Sequence, residues 1–284
     1  MKFLVLGASG MAGHTIAIYL QERGHDVVGF ARKKLFFCNT VVGDVRNTNA
    51  LTALISDGKF DSVVNCVGIL NQFAEQDTEQ AVYLNAYLPH FLSKLTKGTG
   101  TQIIHMSTDC VFSGQRGGYT EHDLRDGVTF YDRTKALGEL EDDHSITLRN
   151  SIIGPDINPE GIGLLNWFMK QDSEINGYKN VMWTGLTTLQ LAKVLEAAAA
   201  ERATGLYNMV YSSPISKYDL LTLLNHYLRN DSVNISSLDT PVVDKSLIRT
   251  NHQFKYEIPD YYTMVSEMSQ WIKDHRILYP HYKL

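Results

Sequence analysis

A tyrosine and a lysine four residues apart form the pair in this sequence best suited to catalysis. Tyr131 and Lys135 would share one face of a helix, because residues i and i+4 are neighbours there. A free tyrosine has a pKa of about 10, and a nearby ammonium favours the phenolate and lowers that pKa. The spacing therefore predicts general acid–base chemistry by Tyr131, tuned by Lys135.

Two hydroxyl residues follow an apolar run that is typical of a strand. Ser107 and Thr108 come directly after the run Gln102–Met106. Open α/β sheets bind ligands at the carboxyl ends of their strands, so a hydroxyl there could orient a carbonyl oxygen beside Tyr131. Adjacent residues of an extended chain point in opposite directions, and only one of the two should serve. We predict that Thr108 does, with Ser107 as the alternative.

A glycine-rich segment near the N terminus predicts a binding site for a dinucleotide. It follows an apolar run and opens a helical stretch, with Gly-x-x-Gly-x-x-Gly spacing. Glycine accepts a positive φ, and its missing side chain lets the backbone approach a diphosphate. Backbone N–H groups and the helix dipole then stabilise the negative charge. A packing turn without a ligand is the alternative. The expected contacts come from Gly7, Ser9, Gly10, Met11 and Gly13.

The residues that follow the next strands predict which dinucleotide binds. Where an acidic residue would bind a free ribose 2′-hydroxyl, the sequence has Arg32, whose guanidinium can bind two phosphate oxygens. We therefore expect NADP(H), with NAD(H) as the alternative cofactor. Strand order adds two further sets: Asp44 and Val45 beside the adenine, and Cys66, Val67 and Gly68 beside the nicotinamide ribose, which Lys135 and Tyr131 would also contact.

The order of elements predicts an α/β fold. Short apolar strands alternate with helical stretches over the first half, which is typical of a Rossmann-type, doubly wound parallel sheet with helices on both faces. The pattern loosens after about residue 150, where turns occur at Gly154-Pro155 and Asn158-Pro159. We expect an NADP-binding Rossmann domain over residues 1–150, rejoined by parts of 181–212. A smaller substrate-binding lobe would occupy residues 151–284.

Composition excludes several classes of protein. The chain has 284 residues, of which 44% are hydrophobic and 20% charged, as in ordinary globular proteins. A net charge of -5 without a basic run argues against a nucleic-acid partner. Signal-peptide and membrane-spanning patterns are missing, which predicts a cytoplasmic protein without a membrane partner. Cys38, Cys66 and Cys110 form no Cys-x-x-Cys pair, and the histidines form no His-x-x-x-His pair, so neither disulfides nor a metal site are expected.

Together these segments resemble the extended short-chain dehydrogenase/reductase superfamily, and within it most the dTDP-4-dehydrorhamnose reductases and their sugar-nucleotide relatives. The resemblance covers most of the chain and is strongest in the first 155 residues. It rests on the segments Gly7–Gly13, Ser107–Gly114 and Tyr131–Lys135. It implies NADPH-dependent reduction of a nucleotide-diphospho-4-keto-6-deoxysugar for cell-surface polysaccharides. The implied catalytic set is Thr108, Tyr131 and Lys135, and a homodimer is common in the superfamily.

The sequence departs from this family on the substrate side. The family has an aromatic residue where Cys110 stands, glycine where Asp132 stands and tryptophan where Ile152 stands. The reductase chemistry is therefore better supported than rhamnose as the sugar. Four residues are expected to contact the substrate, with Trp183 as either a wall of the site or a core residue: Asp109, Cys110, Arg149 and Trp183.

Two other functions stay open. An epimerase or dehydratase of the same superfamily would recycle its cofactor. The 4,6-dehydratases follow the Thr-Asp pair with a glutamate, whereas Cys110 stands here and cannot replace that proton shuttle, which argues for plain reduction. A non-catalytic NADP-binding regulatory subunit is the third hypothesis, against which the intact Thr108, Tyr131 and Lys135 argue.

Overall fold

A computed structural model describes residues 1–283 and contains a central parallel sheet of seven strands. In spatial order these are β3 (Asn39–Val42), β2 (Asp26–Ala31), β1 (Lys2–Leu6), β4 (Ser62–Asn65), β5 (Gln102–Ser107), β6 (Ser145–Arg149) and β11 (Gly205–Asn208). Every neighbouring pair is parallel. The strand order reverses between β1 and β4, which creates a crevice at the carboxyl edge. The predicted α/β class with a doubly wound parallel sheet is confirmed.

Helices pack on both faces of this sheet. The α-helices of residues 1–283, including those that pack on the smaller sheets, are α1 (Met11–Glu22), α2 (Thr48–Gly58), α3 (Asn71–Gln76), α4 (Thr78–Ala81), α5 (Leu88–Thr96), α6 (Phe130–Leu137), α7 (Leu164–Met169), α8 (Thr188–Glu201), α9 (Lys217–Arg229) and α10 (Tyr261–Asp274). A π-helical segment, Val82–Tyr87, joins α4 to α5, and 3₁₀ turns occupy Asp109–Val111 and Arg276–Leu278. None of these helices is both long and apolar enough to cross a membrane.

Alternate residues of the strands supply two separate cores. Phe3 and Val5 of β1 face α1 and α8, whereas Leu4 and Leu6 face α2 and α5. All four side chains are completely buried. Because both faces are covered, the four residues after Lys2 form a continuous apolar run, as the sequence indicated.

The second half of the chain contributes to the main sheet and also forms smaller sheets. There β7 (Ser151–Ile153) pairs with β10 (Gly185–Thr187), and β8 (Ile175–Tyr178) pairs with β13 (Ile235–Leu238). A third sheet has β9 (Val181–Trp183) between β12 (Ile215–Ser216) and β14 (Val243–Asp244). Meanwhile α8 packs on α1, and β11 pairs with β6. We therefore propose that α8 and β11 belong with residues 1–150.

The turn from β1 into α1 depends on a close approach between two glycines. Gly7 has a φ of +76°, a conformation that glycine adopts without steric cost. A Cβ on Gly13 would lie only 2.2 Å from the Gly7 carbonyl oxygen. Gly13 thus lets the first turn of α1 pack directly against the loop, which leaves the loop's other side open to a ligand.

Replacing Gly13 with alanine should destabilise the fold, because the new methyl group overlaps the Gly7 carbonyl oxygen. We expect a loss of about 1–3 kcal/mol in the free energy of unfolding, measured by urea titration. Gly10→Ala is the matched control, since its Cβ would lie 3.4 Å from the same oxygen and its φ is −83°. Equal losses in the two variants would contradict this account.

Candidate functional site

The carboxyl ends of β1, β2 and β4 open into a cleft of about 310 Å³. Nine predicted cofactor residues line it: Gly7, Ser9, Gly10, Arg32, Asp44, Val45, Cys66, Val67 and Gly68. The other four predicted cofactor residues lie outside this lining: Met11, Gly13, Tyr131 and Lys135. Gly13 supports the loop from behind, and the Met11 sulfur approaches Gly163. The structure thus gathers segments that are far apart in sequence along one edge of the sheet.

One end of the cleft carries a second arginine that sequence reasoning missed. Arg46 donates hydrogen bonds to both carboxylate oxygens of Asp44, with Nη2 at 2.6 Å from Oδ2. These bonds, with a smaller contribution from Arg32, lower the pKa of Asp44 to about 2. Asp44 therefore lines the cleft as an ionised carboxylate whose charge is offset by Arg46. With Arg32 added, the net charge of this end of the cleft is positive. The Asp44-x-Arg46 spacing was the available signal.

A capping box places Tyr131 in the first turn of α6. The Thr129 hydroxyl accepts a hydrogen bond from the Asp132 N–H at 3.1 Å, and the Asp132 carboxylate accepts one from the Thr129 N–H at 3.1 Å. This reciprocal pair fixes where the helix begins. Asp132, one of the departures from the family pattern, therefore has a structural role next to Tyr131.

The Tyr131 side chain is buried. Its ring packs among small side chains, and its hydroxyl lies beside Thr108. Ala74 and Ala81 pack with the ring. Burial raises the pKa of Tyr131, the neighbouring Cys110 raises it further, and the Thr108 side chain opposes the shift. The sequence predicted a lowered pKa for Tyr131, and that direction is wrong, because burial outweighs the contributions that oppose it. The phenol is consequently protonated at neutral pH, as a proton donor must be.

Lys135 lies one helical turn further and is also buried. Its Nζ donates a hydrogen bond to the Met106 carbonyl oxygen at 2.7 Å, at the end of β5. Burial lowers its pKa to about 8, and the electrostatic contributions of Glu139 and Cys66 oppose this shift. Because Cys66 lines the cleft, the ammonium lies close to the end of the cleft at β4.

The structure separates the roles of the two adjacent hydroxyls. Ser107 donates to the Glu139 carboxylate at 2.6 Å, so its side chain belongs to the interior. Thr108 accepts a hydrogen bond from the Cys110 N–H at 3.1 Å and donates to Asp109 at 3.1 Å. Thr108 is also the hydroxyl that acts on the pKa of Tyr131. This arrangement supports the choice of Thr108 over Ser107.

The prediction that Arg149 contacts the substrate is wrong. Its side chain is completely buried and donates to both oxygens of Glu139, at 2.8 and 2.7 Å. Arg125 donates to the same carboxylate at 2.6 Å. Burial would raise the pKa of Glu139, but these bonds, led by those from Arg149, hold it below its usual value. Arg149 is therefore a structural partner of Glu139 and is not available to a substrate.

The other three predicted substrate contacts lie near Tyr131 or in the core. Asp109 is 6% exposed, and Cys110 is partly buried beside the Tyr131 hydroxyl. Trp183 is only 4% exposed and packs against Tyr261. Trp183 is thus a core residue, because both sides of its ring are covered.

Asn85 is a positioning residue that the sequence analysis did not find. It lies in the π-helical segment and is completely buried. Its amide accepts from the Ile69 N–H and donates to the Ile69 carbonyl, both at 3.0 Å, and donates to Thr134 at 3.2 Å. It therefore fastens the loop after β4 to α6. A polar residue between the apolar positions Ala81 and Leu88 was the signal.

Residues 1–152 match the family described as the RmlD substrate binding domain. The chain belongs to the RmlD substrate binding domain family. The matched part includes the cleft, Thr108, Tyr131 and Lys135. The smaller sheets of the second half lie almost entirely outside it.

Similar proteins include reductases. The chain is 30% identical over 166 residues to a probable low-salt glycan biosynthesis reductase of Haloferax volcanii, covering 57% of this chain and 51% of the relative. It is 34% identical over 142 residues to a dTDP-4-dehydrorhamnose reductase of Burkholderia thailandensis, covering 49% and 45%. The chain thus spans about half the length of these curated relatives.

Solved structures extend the likeness of fold to nearly the whole chain. A dTDP-4-dehydrorhamnose reductase from Bacillus anthracis, solved in complex with NADP, superposes with a TM-score of 0.80. The alignment covers 96% of this chain and 99% of that one at 19% sequence identity. At this identity the likeness establishes the fold alone.

Replacing Lys135 with methionine should stabilise the protein at pH 7, because it removes a buried ammonium. The lysine pKa is about 8 when folded and about 10.4 when unfolded, so wild-type stability rises with pH between these values. We expect Lys135→Met to gain about 1–3 kcal/mol at pH 7, net of the lost hydrogen bond. The gain should shrink towards pH 10.

The measurement is urea unfolding at several pH values, with Lys94→Met as the control. Lys94 is an exposed residue of α5, so its replacement should produce no such pH-dependent difference. A stability difference for Lys135→Met that stays constant from pH 7 to 10 would show that Lys135 is not desolvated.

Proposed function

We propose that this protein reduces the 4-keto group of a nucleotide-diphospho-4-keto-6-deoxysugar with NADPH, in the synthesis of sugars for cell-surface polysaccharides. One observation carries the proposal: the hydroxyls of Tyr131 and Thr108 lie together at the carboxyl edge of the sheet, and the buried Lys135 follows Tyr131 by one helical turn. The names of the glycan biosynthesis reductase and the dTDP-4-dehydrorhamnose reductase similar to this chain support it.

The residues divide the reaction between them. When bound, the nicotinamide of NADPH supplies a hydride to the carbonyl carbon. Tyr131 donates its phenolic proton to the carbonyl oxygen, and its raised pKa keeps that proton in place until negative charge develops. Thr108 turns its hydroxyl from Asp109 to the same oxygen and aligns it. Lys135 stabilises the phenolate that remains on Tyr131.

The cleft fits an NADP(H) molecule in two respects. Gly7, Gly10 and Gly13 lack side chains, so the backbone N–H groups at the N terminus of α1 can approach a diphosphate closely. At the other end, Arg32 and Arg46 supply positive charge for a 2′-phosphate. Because Asp44 is already paired with Arg46, it would repel that phosphate only weakly.

The state of Cys110 favours reduction over dehydration. Burial raises the pKa of its thiol to about 12, so it does not accept a proton at neutral pH. A dehydratase would need an acid–base group at this position. A regulatory subunit would bind NADPH without turnover. Measuring NADPH oxidation, as described next, distinguishes it from a reductase. Cytoplasmic location and a homodimer stay predictions from the sequence, to be tested by fractionation and sedimentation.

Replacing Tyr131 with phenylalanine should abolish most turnover, because it removes the proton that the proposed reaction delivers to the carbonyl oxygen. Steady NADPH oxidation on a panel of dTDP-, UDP-, GDP- and CDP-linked 4-keto-6-deoxysugars gives the rate. We expect kcat to fall roughly 100- to 10,000-fold while the dissociation constant of NADPH stays unchanged. Full activity in Tyr131→Phe would refute the acid assignment, and wild-type protein inactive on the whole panel would refute the reductase.

Replacing Arg32 or Arg46 should weaken the binding of NADPH and leave the binding of NADH unchanged, because only NADPH carries the 2′-phosphate. We expect KM for NADPH to rise roughly 10- to 100-fold in Arg32→Ala and in Arg46→Met, with KM for NADH within twofold of wild type. Arg276→Ala, in the 3₁₀ turn near the C terminus, is the control. Parallel losses for both cofactors would contradict 2′-phosphate recognition.

A further inference from the structure

Two lysines from the second half of the chain converge on the segment that carries Thr108. Lys217 follows β12 and Lys245 follows β14, the two strands that flank β9. The last residues of both strands, Ser216 and Asp244, pair with the same residue, Met182. The third sheet therefore presents two ammonium groups from neighbouring positions.

The stem of each lysine has a defined place. The Lys217 Nζ lies 5.4 Å from the centroid of the Trp183 ring. The Lys245 Cγ would lie 2.8 Å from a Cβ on Gly114, and Gly114 has a φ of +81° that favours glycine. Glycine at this position thus leaves room for the lysine stem. Neither side chain is a freely solvated surface lysine.

Both ammonium groups act electrostatically on residues next to Thr108. Asp109 and Cys110 oppose the lowering of the Lys217 pKa that burial causes. Lys245 in turn lowers the raised pKa of Cys110. Within residues 1–283, neither ammonium donates a hydrogen bond or forms an ion pair at contact distance. The two ammonium groups offset the charges of Asp109 and Asp132, the two carboxylates that also act on Cys110.

We propose that Lys217, assisted by Lys245, binds the diphosphate of the sugar nucleotide. This inference rests on the proposed function, in which the keto oxygen of the sugar lies at Tyr131 and Thr108. The diphosphate leaves the sugar ring at C1, across the ring from C4, and so extends from the catalytic hydroxyls towards the second half of the chain. Two ammonium groups match its two negative charges, and lysine binds phosphate as a point charge.

The test compares ligands with and without phosphate, so it requires no turnover. Calorimetry measures the binding of dTDP, UDP, GDP and CDP, and of the matching nucleosides, to the NADPH-loaded protein. Lys217→Met keeps the stem over Trp183 and removes the charge. We expect this substitution to raise the dissociation constants of the nucleoside diphosphates roughly 10- to 100-fold and those of the nucleosides less than twofold. Lys217→Arg should restore most of the affinity.

Lys179→Met is the matched control, because the Lys179 ammonium also lies over an aromatic ring, 5.9 Å from the centroid of Tyr218. It should bind the diphosphates like wild type. Unchanged diphosphate affinity in Lys217→Met, an equal loss for the nucleosides, or a wild type that binds none of the four diphosphates would overturn the proposal. Lys217-dependent binding in a protein that reduces no keto-sugar would uphold it and refute the reductase function alone.

Discussion

The burial of the Lys135 ammonium against the end of β5 is the interaction on which the site depends. Taking an ammonium out of water is costly, and the lowering of its pKa to about 8 reflects that cost. The hydrogen bond to the Met106 carbonyl ties α6 to the strand that ends at Ser107 and Thr108. The position of Lys135 thus determines where Tyr131, one helical turn earlier, meets the carboxyl edge of the sheet.

The surrounding polar contacts hold this geometry from several sides. The capping box of Thr129 and Asp132 fixes the start of α6, and Asn85 ties that helix to the loop after β4. At the other end of α6, the carboxylate of Glu139 is satisfied by Arg149, Arg125 and Ser107. Removing one partner of such a buried pair leaves a charge without compensation, which costs about 3–5 kcal/mol. The charged interior is therefore a scaffold for the reacting groups.

Local patterns were enough to predict the framework. Apolar runs separated by helical stretches gave the parallel sheet, and the glycine spacing gave the loop, because both depend on neighbouring residues. Tyr131 and Lys135 were identifiable for the same reason, since one helical turn relates them. Thr108 followed from its position after a strand. These features required no knowledge of contacts between distant segments.

Contacts between distant segments account for the errors and omissions. Arg149 appeared available to a substrate, but its charge is used by Glu139 in the folded interior. The sign of the Tyr131 pKa shift was wrong, because burial is a tertiary property that the Tyr-x-x-x-Lys spacing does not report. Lys217 was overlooked because it reaches the segment after β5 through a sheet formed by segments far apart in sequence.

The most direct test of the account follows the hydride itself. The protein would be given NADPH carrying deuterium on the transferred position of the nicotinamide, with a 4-keto-6-deoxysugar nucleotide that it accepts, and the product examined by mass spectrometry and NMR. The account predicts one deuterium per product molecule, bound to C4, with one NADP⁺ formed for each. A product without deuterium, or conversion of the sugar without net NADPH oxidation, would contradict it.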